Sequence, residues 1–236
     1  MDDVSCYGVV PTDAEDRVEA FIEKGGGDPP TNRINAGAYV IERDVAEAIP
    51  AGRAVSFEHE IFPSLVGHGL YGWQADGYWI DIGKPNRYLE ATYDLLSGRV
   101  ESTLPPRDET GSLVYEGCLI SGAHIGPQAV LGRHCSVGTD ARVERSVLHE
   151  RVLVGPDAAV VESVLAERVR VGDAARVGPR AVIGAGATVG RRAVVGEGAR
   201  VDPSARVEDG AVVEAGARAE AGRGSPGVTP QGERVT

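Results

Sequence analysis

From Leu119 to Ala219 the chain counts in sixes. Apolar residues recur at Leu119, Ile125, Leu131, Val137, Val143, Leu148, Val154, Val160 and Leu165, and continue at Val171, Val177, Ile183, Val189, Val195, Val201, Val207 and Val213. Every step is six residues except 143 to 148 and 160 to 165, which are five. A glycine often follows the apolar residue, as at Gly126, Gly138, Gly172 and Gly190, and four residues after it sits a small one, such as Ala129, Cys135, Ala175 or Ala193. A hexapeptide period is the sequence signature of a β-helix. Three hexads close one triangular coil, the apolar residue points inward from a short strand, and the small residue fits the corner. A Val/Ala/Gly-rich linker has no reason to hold such a register.

The stretch Arg145–Val152 recurs as Glu162–Val169 at an offset of 17 residues, one coil of two sixes and a five. The pattern resembles the left-handed β-helix hexapeptide-repeat family. The handedness comes from that resemblance, because the general rule for parallel crossovers is right-handed. Aromatic residues make up only 5% of the chain, which suits a core of stacked Val, Ile and Ala. The net charge of −11 argues against a nucleic-acid surface, which needs clustered Lys and Arg. No apolar run is long enough to cross a membrane. Cys6, Cys118 and Cys135 have no metal-ligand spacing; Cys118 and Cys135 lie one coil apart and read as inward small residues on neighbouring rungs. An odd cysteine count without a signal peptide points to a reducing, cytoplasmic setting.

Residues 1–98 are not repetitive. Strands are expected at Cys6–Val10, Arg17–Lys24, Ile34–Ile41, Leu70–Ala75 and Tyr78–Ile82. Short helices are expected at Asp44–Ile49 and from Phe57, with Ser56 as N-cap and Pro63 unsettling the later part. Pro85–Leu96 reads as a longer helix with Gly98 beyond its end. Gly8 and Gly37 fall within strand patterns, where a glycine marks a bulge, a turn or close approach of a ligand to backbone. Glu23 ends an apolar strand and can accept two sugar hydroxyls, or be a solvated strand end. Lys24 can meet a phosphate as a point charge. Asp81, inside an apolar run, suits a hard cation such as Mg²⁺ or a turn.

In order along the chain come Tyr7-Gly8-Val9-Val10, Phe21-Ile22-Glu23-Lys24, Asn35-Ala36-Gly37-Ala38-Tyr39, Ser56-Phe57-Glu58-His59-Glu60-Ile61-Phe62-Pro63 and Tyr78-Trp79-Ile80-Asp81-Ile82-Gly83-Lys84-Pro85. This succession resembles the second half of the catalytic domain of sugar-1-phosphate nucleotidylyltransferases, above all the mannose-1-phosphate guanylyltransferases, in which a β-helix also follows. The resemblance implies that Tyr7 and Gly8 line the sugar pocket, Glu23 holds sugar hydroxyls, and Lys24 holds the sugar phosphate and assists catalysis. It implies that Asn35, Ala36 and Gly37 form the floor under the hexose and that Asp81 is a catalytic ligand of Mg²⁺. The implied reaction joins a nucleoside triphosphate to a sugar 1-phosphate. A sugar-phosphate oxygen attacks the α-phosphorus in line, the bond to the β-phosphate breaks, and pyrophosphate leaves. Positioning and charge neutralisation carry such a step.

Two departures stand out. Gly25-Gly26-Gly27 follows Lys24 where the family has Pro, and the family's opening Gly-rich phosphate loop has no counterpart here. The expected fold class is therefore α/β, a partial nucleotidyltransferase domain, followed by an all-β left-handed parallel β-helix. The expected layout is 1–98 for the sugar-phosphate and metal half, 99–113 as linker, 114–221 for the β-helix and 222–236 as a disordered tail. The chain is expected to be inactive by itself in making GDP-mannose from GTP and mannose 1-phosphate. Thymidylyl or uridylyl transfer to glucose 1-phosphate is an alternative, as is a non-catalytic subunit that pairs with a complete transferase. Self-association through the β-helix is the other expected partnership. A hexapeptide acyltransferase is disfavoured, because no long loop interrupts the repeats around His124, His134 or His149.

Overall fold

The computed structural model describes residue 4 and residues 7–22, 30–222 and 228–230. Glu23, Lys24 and Cys6 therefore lie outside the described residues. The chain divides into two compact units, Met1–Trp79 and Ile80–Thr236.

The second unit is dominated by the solenoid. Its strands stack into three parallel sheets. The first runs through Leu113–Val114, Val130–Leu131, Val147–Leu148, Val164–Leu165, Val182–Ile183, Arg200–Val201 and Arg218–Ala219. The pairing Val147↔Val164 confirms the 17-residue coil, and Val164↔Val182 shows the lengthening to 18 where the fives end. Inward residues from Leu131 to Val213 are buried, and so are the corner residues Cys135, Ala141, Ala175 and Ala193. One position departs from the hexad count. Leu119 pairs with Ser136 and is 68% exposed, while Ile120 aligns with inward Val137. Backbone pairing sets the register there, so the step from Ile120 to Ile125 is a third five.

The buried serines explain how a five-residue step closes. Ser163 Oγ lies 2.8 Å from the Val161 carbonyl oxygen and 2.5 Å from that of Gly178, with its one proton shared between them, and the Ser163 N–H donates to Ser146 Oγ at 3.1 Å. With one residue fewer at the corner, serine hydroxyls take up hydrogen bonds with the backbone there, including the Ser163 amide. Cys118 and Cys135 occupy the equivalent column at another corner as free thiols. Burial pushes the Cys135 thiol up to about 11. At several corners the residue before the small one is left-handed, including Asp140, Arg180 and Arg192.

Helix α3, Pro85–Ser97, begins with Pro in its first turn and ends at Gly98, whose φ is +78°. The Arg99 N–H reaches back to the Asp94 carbonyl at 3.0 Å. This is the left-handed stop that Gly permits without a Cβ penalty. Arg107 then donates to the carbonyls of Leu95 and Leu96 at the negative end of the helix. The helix is tied to the solenoid through Tyr93. Its hydroxyl donates to the Arg145 carbonyl at 2.5 Å, and the Arg145 guanidinium lies 4.2 Å from its ring centre. Val147 of the first sheet points outward by register yet is buried, as are Leu89 and Leu96 of the helix.

Burial pushes the Tyr93 phenol up to about 12. An unfolded tyrosine ionises near pH 10. The stability linked to this proton is thus full below about pH 10 and is lost as pH rises toward about 12. We expect an ultraviolet titration to show a late phenol step that Tyr93→Phe reduces, the remainder belonging to Tyr88, which burial also pushes up. An unchanged late step in that variant would contradict the packing.

The first unit is built from extended segments rather than strands. The expected strands reduce to single antiparallel pairs at Val9↔Ile34, Val9↔Ile22, Thr12↔Val18 and Arg17↔Tyr71. Neither 36–42 nor 72–79 belongs to a ladder. Their sequences favour strands, but neither segment has a neighbouring strand among the described residues, and the same is true of residues 80–82 in the second unit. Helix α1 covers Arg43–Glu47, a π-helical turn covers Phe57–Ile61, and helix α2 covers Phe62–Leu65. Ser56 is the cap, accepting the His59 N–H at 3.2 Å. Pro63 does not end the helix, because it falls in the first turn of α2, where its missing N–H has no intrahelical acceptor. Beyond residue 222, Val228–Pro230 pairs antiparallel with Ala211–Val213, so part of the expected disordered tail is a strand. The rest of that tail lies outside the described residues.

Candidate functional site

Five of the candidate residues come together in the first unit, and Asn35 is their hub. The pairing at Val9↔Ile34 sets the next amide, so Asn35 N–H donates to the Gly8 carbonyl at 3.1 Å. The Asn35 side chain is then held at both ends. Its Oδ1 accepts from the Gly37 N–H at 3.0 Å and from the Tyr39 hydroxyl at 2.8 Å. Its Nδ2 donates to Glu58 Oε1 at 3.1 Å. Gly37 sits at φ +77° with nothing near its absent Cβ, so the turn needs glycine for its backbone rather than for space.

The other side of the turn is fixed by Trp79, whose indole N–H donates to the Ala36 carbonyl at 3.3 Å. Tyr7 packs edge-on against Trp79 with ring centres 5.4 Å apart. Gly8 has room for a Cβ, its nearest atom being the Ile22 carbonyl oxygen at 3.5 Å. The result is an exposed polar turn at 36–38, bonded on one side to Trp79 and, through Asn35, to Tyr39 and Glu58 on the other.

Tyr39, Glu58 and Trp79 stand in the sequence motifs but were not expected as site residues. Their positions follow from packing. Phe62 is buried and meets Tyr39 at 4.7 Å, Phe57 at 5.4 Å and Phe21 at 5.2 Å between ring centres. That aromatic cluster anchors the π-helical turn, and the turn presents Glu58 to Asn35. Arg53 grips Glu60 through both carboxylate oxygens, at 3.2 and 2.8 Å, and holds its carboxyl below the usual range. One signal was available: Glu58 and Glu60 both lie in the first helical turn after a Ser cap.

Asp81 belongs to the second unit. It is exposed, and its Oδ1 accepts the Gly83 N–H at 2.8 Å. A Cβ at Gly83 would lie 3.0 Å from that oxygen, so Gly lets the carboxylate fold over its own turn. Among the described residues, no three His, Cys, Asp or Glu side chains gather as a metal cage. Among them, too, no helix is long and apolar enough to cross a membrane.

A polar turn in the first unit is followed by a hexapeptide solenoid in the second, and known proteins match both regions in sequence. Residues 1–98 are a nucleotidyl transferase region, matched by that family's model, and the model of the GMPPB C-terminal domain matches residues 113–195. A mannose-1-phosphate guanylyltransferase of Mycobacterium tuberculosis is 41% identical over 154 residues, covering 64% of this chain and 43% of that protein. A UTP–glucose-1-phosphate uridylyltransferase of Synechocystis is 30% identical, covering 62% of this chain and 44% of that protein. The chain thus spans less than half the length of these relatives. Among solved structures, the acetyltransferase domain of PglB from Neisseria gonorrhoeae is 19% identical with a TM-score of 0.44, over 56% of this chain and 65% of that one.

Proposed function

We propose that residues 1–98 carry the sugar-phosphate part of a nucleotidyl transfer site that makes an NDP-sugar and pyrophosphate, with mannose 1-phosphate and GTP as the substrates. The carrying observation is the Asn35 network, in which Gly37, Tyr39 and Glu58 fix one amide beside exposed backbone. A hexose offers many hydroxyls and little apolar area. A rigid turn with exposed amides and carbonyls, edged by Tyr7 and Trp79, can meet those hydroxyls without ordering long side chains. The 41% identity to a mannose-1-phosphate guanylyltransferase supports mannose over glucose.

In this reading Asn35, Ala36 and Gly37 floor the hexose, and Tyr7 and Gly8 line it. Glu23 takes sugar hydroxyls and Lys24 the phosphate. Asp81 fits a Mg²⁺ ion as a single carboxylate ligand, since Mg²⁺ is commonly held by one or two carboxylates with phosphates and water completing its shell. The ion, when bound, would neutralise phosphate charge. Oligomerisation is proposed through the β-helix or with a complete transferase.

The test is binding. We expect mannose 1-phosphate to shift amide resonances of residues 35–39 saturably, and Asn35→Ala to weaken binding by about tenfold, the loss of one or two hydrogen bonds. No shift at these residues in the wild-type chain would sink the assignment of the sugar floor. A preference for glucose 1-phosphate would move the substrate to the uridylyl or thimidylyl alternative.

A further inference from the structure

We propose that the outer face of the solenoid's second sheet carries a binding site for a small phosphate monoester, formed by Arg170, Thr188 and Arg206. The site lies wholly in the second unit and does not depend on the reading given above for the first.

The second sheet runs through Leu119–Ile120, Ser136–Val137, Leu153–Val154, Arg170–Val171, Thr188–Val189 and Arg206–Val207. Register puts Arg170 and Arg206 on either side of Thr188 in its outward row. Paired strands lie about 4.8 Å apart, so the two arginine backbones stand about 9.6 Å apart with a shorter side chain between them. The result is a notch with a hydroxyl at its floor and a guanidinium on each wall. Among the described residues, neither the Arg170 guanidinium nor the Thr188 hydroxyl has a hydrogen-bond or ionic partner. Arg206 uses its Nε, 3.1 and 3.3 Å from the two Glu208 carboxylate oxygens, which leaves both Nη groups for a ligand.

An open groove of about 380 Å³ covers this face, and Leu153, Arg191 and Asp209 also line it. Asp209 is already engaged: its carboxylate accepts from the Arg191 backbone N–H at 2.8 Å, from Nε at 3.0 Å and from Nη2 at 2.9 Å. Asp173 leans back over Gly155 of the preceding coil, where an added Cβ would lie 2.5 Å from its Oδ1. The notch therefore sets Arg170, Arg191 and Arg206 against Glu208 and Asp209, a local cationic excess in a chain of net charge −11. A tetrahedral dianion suits this gap, because charge-assisted contacts of about 2.8 Å can reach it from both walls at once. A planar carboxylate would engage one guanidinium and leave the other bare. Leu153 pairs with Arg170 and is 41% exposed, so it offers apolar surface to the ester's body. Nucleic acid and anionic membranes need a broad basic surface, which the acidic balance of this chain opposes.

The experiment titrates the full ¹⁵N-labelled chain with phenyl phosphate and with inorganic phosphate at constant chloride. We expect the Nε–H signals of Arg170 and Arg206 and the Thr188 amide to shift saturably with both, phenyl phosphate binding severalfold tighter. Arg170→Gln and Arg206→Gln should each weaken binding about tenfold, and Thr188→Val about threefold, while the solenoid melts as before. Leu153→Ser should remove the preference for phenyl phosphate. Absence of a saturable shift overturns the proposal, as do shifts that both glutamine variants retain or that added chloride reproduces. Equal affinity for the two probes overturns the ester assignment. Mannose 1-phosphate is itself such an ester, so the amides of residues 35–39 give a separate readout of the sugar floor. Binding at the notch with no response at 35–39 would sink the functional reading alone, and the converse would sink this site alone.

Discussion

Val189→Asp is expected to destabilise the solenoid by about 2–5 kcal/mol, whereas Thr188→Asp should leave it unchanged or slightly more stable. The two residues are adjacent, so the contrast isolates direction. Val189 is fully buried and stacks between Val171 and Val207. A carboxylate there has no partner, and the cost is that of burying an unsatisfied polar or charged group. Thr188 faces outward in the same sheet, between Arg170 and Arg206 one coil away on either side. A carboxylate at 188 would stand between two guanidiniums, an exposed arrangement worth at most about 1 kcal/mol. Thermal melts of the two variants decide the matter. Equal losses would mean that the inward and outward rows are interchanged.

The second large effect is expected at Gly172. Its backbone is not left-handed, so Ala would be tolerated if conformation were the issue. A Cβ there, however, would lie 2.7 Å from Arg191 N and 2.9 Å from the Gly190 carbonyl carbon on the next coil. Those are backbone atoms in a hydrogen-bonded ladder, so neither can swing away. Gly172→Ala should therefore push two coils apart locally and cost about 1–3 kcal/mol, the range for overpacking. Gly198 is the opposite case, with φ +66° and nothing within 4 Å of an added Cβ. Gly198→Asn should be close to neutral, because Asn tolerates left-handed backbone. Gly172→Asn should be at least as harmful as Ala. If both glycines respond alike, close approach is not what selects Gly172.

The solenoid was legible because its physics is one-dimensional. Each inward residue sees the same environment one coil away, so periodicity alone reveals Val189 and Ala193 as buried. The reading slipped at Leu119 and Ile120, where two apolar neighbours compete and only pairing with Ser136 and Val137 decides between them. Helix α3 was legible from Pro85 and Gly98, local signals with local causes. The first unit was read less well. Its segments carry strand-like residues, but a strand is a relation between segments, and Tyr39–Ile41 and Trp73 have no neighbour to pair with among the described residues. Asn35 to Gly37 were picked out by their motif, but inside an expected strand over 34–41; the structure has a left-handed turn at Gly37 instead. Glu58, by contrast, reaches Asn35 across 23 residues through an aromatic cluster that no local pattern encodes.

The short antiparallel strand Val228–Pro230 gives the solenoid a direction of growth. Every preceding rung of that sheet offers the next one evenly spaced, slanted hydrogen bonds, so a further coil could dock by simple repetition. An antiparallel strand instead presents alternating close and wide pairs. A newcomer in the parallel register would meet the wrong spacing. Among the described residues this strand therefore closes that sheet: it uses up one edge and replaces it with another that the repeat itself cannot extend.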